Sequence, residues 1–94
     1  MRTIEQLAND LERHLHGAID AHFIREQYGN ADNREISALM SSIEHFLSDS
    51  DIRAKNTTYC KMQEEEMMKL IKLLRSGKIN DARRISFLHK SKTV

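Results

Sequence analysis

The chain has 94 residues, 39% of them hydrophobic and 31% charged, and a formal net charge of +1. At this length it forms one domain that hides roughly 60–65% of its unfolded surface, which excludes two independent cores and argues against a deep, enclosed active site. A single cysteine, Cys60, excludes an internal disulfide and, with five methionines, points to a reducing compartment such as the cytoplasm.

The first residues carry charges every few positions, without the apolar run of a signal peptide, and no span of about 18 apolar residues suits a membrane helix. There is no proline, glycine occurs only at 17, 29 and 77, and Ile, Val, Thr, Tyr and Phe never alternate with polar residues over a strand's length. This pattern predicts an all-α fold, a small antiparallel helical bundle of three longer helices plus a short C-terminal helix. Residues 1–94 are expected to form a single helical domain whose tail frays from about residue 90.

Thr3 and Gln6 have the spacing of a capping box, and Ile4, Leu7, Ala8, Leu11, Leu15, Ala18, Ile19 and His22 follow on one stripe. A first helix is therefore expected to run to about Gln27, closing at Gly29 in the left-handed conformation. Asp32 and Glu35 open a second, in which Ile36, Leu39, Met40, Ile43, Phe46 and Leu47 share a face. A third is expected from near Asp51, with Ile52, Tyr59, Met62, Met67, Leu70, Ile71 and Leu74 inward. Its weak point is Asn56-Thr57-Thr58, where poor helix propensity and a possible fresh cap at Thr58 leave open a separate short helix over residues 49–56 and a concave notch beside it. Gly77 ends the third helix, and a last one is expected from about Asn80 to His89, with Ile79, Ala82, Ile85 and Leu88 in a row.

Charge is spread unevenly. Residues 1–66 hold seven Lys or Arg against thirteen Asp or Glu, whereas residues 67–94 hold eight against one. A basic surface of Lys69, Lys72, Arg75, Lys78, Arg83, Arg84, Lys90 and Lys92 suits nucleic-acid phosphates or an acidic protein surface. The plainer alternative is a Glu65–Lys69 pair and cations gathered where a helix C-terminus favours them. Residues 70–88 read as helix, glycine turn, helix. Aligning Gly77 with the turn glycine of a DNA-binding helix-turn-helix puts Ser76, Lys78, Arg83 and Ser86 where that motif wants buried apolar or small residues, which argues against it.

No two histidines have the i, i+4 spacing that would aim both rings at one metal, and three of them have a carboxylate four residues away: Asp10 with His14, Glu12 with His16, Glu26 with His22. Surface pairing is the expected use, and no metal or cofactor is expected. Cys60 has no neighbouring histidine to activate it, and no glycine cluster cradles a phosphate, so no enzymatic role is expected.

Phe23, Ile24, Met62, Met68 and Phe87 fall partly off their helices' main stripes, a surplus of apolar side chains for which a protein partner or a homodimer would supply the cover. With Tyr59 they form the expected partner-binding set. The first expectation is thus a small protein-binding adaptor, inhibitor or regulator acting through a helical surface, and the second a nucleic-acid-binding regulator using the basic C-terminal third. Bundles of this size often serve as accessory proteins of bacteria and their mobile elements, an analogy from size and class alone.

Overall fold

The computed structural model describes residues 3–30, 33–85 and 87, and these form an all-α bundle. Six helical segments follow one another: α1 (Ile4–Leu15), α2 (Ala21–Tyr28), α3 (Arg34–Ser48), α4 (Ser50–Lys55), α5 (Thr57–Arg75) and α6 (Ile79–Ala82).

The α1 start is as the sequence predicts. Gln6 N–H donates to Thr3 Oγ1 at 3.1 Å and Thr3 N–H to Gln6 Oε1 at 2.9 Å, a reciprocal capping box. The expected single helix to Gln27 is not formed. Gly17 takes φ 79°, its N–H donates to the His14 carbonyl, and Ala18 N–H donates to the Arg13 carbonyl, the two bonds of a Schellman closure. Asp20 then restarts the chain by accepting from Phe23 N–H at 2.9 Å. Gly29, expected to be left-handed, has φ −64° and simply adds a residue to the end of α2.

The start of α3 is capped by Asn33, whose side-chain oxygen accepts from Glu35 and Ile36 N–H; the expected opening residue Asp32 lies outside the described residues. All six residues assigned to the inner face of this helix are buried. The expected third helix divides into α4 and α5, and Asn56, extended at φ −132°, ψ 103°, is the cap in place of Thr58, accepting from Tyr59 N–H at 2.9 Å. A second Schellman closure ends α5: Gly77 has φ 75°, Gly77 N–H donates to Leu74 and Lys78 N–H to Leu73. The last helix is a single turn that ends at Ala82, earlier than expected, and residue 86 and the tail from 88 onward lie outside the described residues.

α1 lies along α5, and this is the largest helix contact of the fold. The two run antiparallel: Arg75, near the end of α5, reaches Asn9 and Glu12 on α1, while Leu15 at the end of α1 faces Met68. On its other sides α1 meets α2 and α3, α4 packs on α3 and α5, and α6 on α5. The core draws Leu7 and Leu11 from α1, Ile24 and Tyr28 from α2, the α3 stripe, Met67, Leu70 and Leu74 from α5, and Ala82, Ile85 and Phe87 beyond it. Each large apolar side chain so buried stabilises the fold by about 1.5–3 kcal/mol. Among the described residues no helix is long and apolar enough to cross a membrane.

Candidate protein-docking notch

The break at Asn56 sets the local geometry. Because α4 is a separate single-and-a-half turn, its register is uncoupled from that of α5, and Ile52 points away from the core with 49% of its surface exposed. This corrects the expectation that Ile52 lies inward. Ile52, Asn56, Thr58, Tyr59 and Met62 line a concave, mainly apolar notch of about 380 Å³ between the two helices. Tyr59 and Met62, both half-buried and both in the expected partner-binding set, are thereby brought together, whereas Ile52, Asn56 and Thr58 were not among the expected binding residues.

Behind the notch is a polar cluster that holds it. Gln63 is fully buried on α5. Its Nε2 donates to Asp49 Oδ2 at 2.9 Å and to the Phe87 carbonyl at 2.8 Å, and its Oε1 accepts from Arg53 Nη1 at 2.7 Å. Arg53 also donates to the Phe46 carbonyl and lies 3.8 Å over the centre of the Phe46 ring, a cation–π contact. Tyr59 O–H donates to Asp49 Oδ2 at 2.7 Å, fixing the ring that forms one wall. Burial, then this bond to Asp49, pushes the Tyr59 phenol above its usual range, so the hydroxyl stays a donor. Burial lowers Arg53, while Cys60 and Asp49 act in the opposite direction. The cluster joins the α3–α4 junction, α4, α5 and the segment after α6 into one unit. Sequence reading missed Gln63; its one legible sign was a polar residue on the inner stripe four places before Met67.

The other expected binding residues are dispersed. Ile24 and Phe87 are fully buried, Phe87 edge-on to Phe46 with ring centres 5.3 Å apart, so neither is available to a partner. Phe23 is half-buried against the core. Met68 is 62% exposed on the flank of α5 beside α1, at a second groove of about 300 Å³ that Leu15 and Ile71 also line.

Nor does the basic set form one face. Arg75 donates to Asn9 Oδ1 at 2.9 Å and Glu12 Oε1 at 2.5 Å, tying α5 to α1, and it holds the Glu12 carboxyl below its usual range. Lys69 pairs with Glu66 at 3.1 Å, in place of the expected Glu65. Lys72 borders the α1–α5 groove, whereas Arg83 borders a shallow groove with Arg34 and Ser37 at the start of α3. Lys78 and Arg84 are exposed, and Lys90 and Lys92 lie outside the described residues.

Of the expected histidine pairs, His22 meets Glu26 at 3.5 Å. His14 Nδ1 instead bonds the Ile19 carbonyl at 2.9 Å, because Asp10 is buried and taken by the Tyr28 hydroxyl at 2.5 Å and by Arg13 at 3.2 Å. Glu12 is taken by Arg75 rather than His16. Among the described residues no group of three or more His, Cys, Asp or Glu side chains is placed to hold a metal ion. Cys60 donates weakly to Glu64 Oε2 at 3.5 Å, and burial, then Glu64, raises its thiol above the usual value, the reverse of what activates a nucleophile. Comparison with protein-family models, with curated proteins and with solved structures finds no match, so the functional reading rests on the chemistry of these surfaces.

Proposed function

We propose that this chain is a non-enzymatic protein-binding module, an adaptor, inhibitor or regulator, whose α4–α5 notch receives apolar side chains from a helix of a partner protein. The observation that carries this reading is Ile52, half exposed at the lip of a notch that none of the described residues fills, with Tyr59 and Met62 beside it. An apolar cleft walled by an aromatic and a methionine suits a helix-in-groove contact, since the thioether adapts to the shape it meets. Tyr59 is already locked by Asp49 and Gln63, so little side-chain freedom is lost there on docking.

The test is capture of partners by the tagged chain from its own cell lysate, nuclease-treated, with washes at about 0.15 M and about 0.5 M salt. Wild type, Ile52→Glu and Met62→Glu are compared. Proteins retained by wild type through the higher salt and lost from both variants support the notch. Material that disappears with nuclease or with salt, and is indifferent to the two substitutions, transfers the function to the exposed basic residues Lys72, Lys78, Arg83 and Arg84 and to a nucleic-acid partner.

A further inference from the structure

The flank of α5 around Met68 is a second apolar feature that none of the described residues fills, and its charges are arranged differently from those of the notch. Met68, at 62% exposed, is the most exposed large apolar residue among those described, and it lies at the edge of the α1–α5 groove floored by Leu15 and Ile71. A knob and a hole are thus side by side on one surface. That is the condition for a two-fold contact, in which each copy's knob enters the other's hole.

The charges along α5 have the same symmetry. Glu64 lies one turn before Met68 and Lys72 one turn after it, each about 6 Å along the axis. In an antiparallel pairing about Met68, Glu64 of one copy comes opposite Lys72 of the other, and the reverse pair forms at the same time. Both side chains are exposed, and Lys72 has no ion pair among the described residues. Lys61 comes opposite Arg75, but Arg75 already carries Glu12, so Lys61 meets a neutral ion pair rather than a bare cation. A methionine side chain, unbranched and flexible, can enter the groove without a fixed shape being required of it.

We infer that the chain pairs with a second copy of itself through α5, antiparallel about a two-fold axis at Met68, with each Met68 seated on the partner copy's Leu15 and Ile71 and two Glu64–Lys72 pairs flanking it. No residue that lines the α4–α5 notch lines this groove, so such a dimer leaves two notches open and its failure leaves the notch reading untouched.

Sedimentation equilibrium of the full chain from about 10 µM to about 500 µM tests this, because self-association must follow mass action. Wild type is expected to shift from monomer to dimer across the range, and Met68→Glu, exposed and therefore compatible with folding, to remain monomeric. Glu64→Lys and Lys72→Glu singly should each weaken the dimer about tenfold, equal to about 1.4 kcal/mol, and the two together should restore it by exchanging the sign of every pair. A wild type that stays monomeric throughout, or a double exchange no stronger than either single one, overturns the proposal.

Discussion

Gln63 shows how much one side chain can hold at this size. Its amide has partners on α4, at the α3–α4 junction and on the segment beyond α6, so truncation leaves Asp49, Arg53 and the Phe87 carbonyl short of partners at once. Gln63→Leu is expected to destabilise the fold by about 2–4 kcal/mol, since each buried polar group left unpaired costs about 1–3 kcal/mol. Urea denaturation followed by circular dichroism checks the figure. At the same scale, Glu12 and Glu44 are held below the usual carboxylate value by Arg75 and Arg25 respectively. A depressed carboxylate pKa in the folded state contributes stability that is present above the unfolded value and is lost as pH falls through the folded one. The melting temperature should therefore fall as pH drops below 4.5, and Glu12→Gln should flatten part of that decline when Tm is followed from about pH 6 to about pH 3.

Among the elements, the two Schellman closures make a matched pair. Gly17 and Gly77 have φ 79° and 75°, and a Cβ built at either would meet nothing within 4 Å, so an alanine there strains only the backbone. Gly17→Ala and Gly77→Ala should each cost about 1–2 kcal/mol, read as a lowered urea midpoint with an unchanged slope. Asn56→Ala should cost about 1 kcal/mol through the lost cap, and it also favours a straight α4–α5 helix, which would narrow the notch. At this scale the inner face of α3 was legible, its six apolar residues following the 3.6 period and every one buried, whereas its cap proved to be Asn33. The boundary between α1 and α2 was not legible, because the apolar stripe runs on through Leu15 and Ile19 across the break, and periodicity does not record a turn that returns the chain to the same core. Gly17 followed three places later by Asp20 was the local sign. The weak point at residues 56–58 and the notch beside it were legible as a possibility, from the poor helix propensity of an Asn-Thr-Thr run. Which of its residues caps was settled by Asn56, whose oxygen reaches the Tyr59 N–H.

For the whole molecule, stability and docking should separate. Ile52 and Met68 are the large apolar residues left exposed among those described, so charge at Met68 should change folding stability by no more than about 0.5 kcal/mol, and at the half-covered Ile52 by about 1 kcal/mol. Thermal melts of Ile52→Glu and Met68→Glu alongside the capture and sedimentation measurements check this. The sequence by itself determined the helical class, the helix ends near Gly29 and Gly77, the capping box at Thr3 and the inner face of α3, because these depend on neighbours within about a turn and on a fixed helical period; the left-handed stop at Gly17 it did not determine. It also showed that the apolar residues exceed the main stripes. Only the tertiary structure decided which of that surplus is covered. Ile24 and Phe87 are enclosed, Phe87 through a carbonyl bonded to Gln63 at a sequence separation of 24 and a ring set against Phe46, whereas Ile52 and Met68 are left outside. The same holds for charge: Arg75 is drawn to Glu12 across 63 residues and leaves the basic set divided. Periodicity assigns a face to each helix, but which faces meet is set by how the turns at Gly17, Asn56 and Gly77 aim the helices in space.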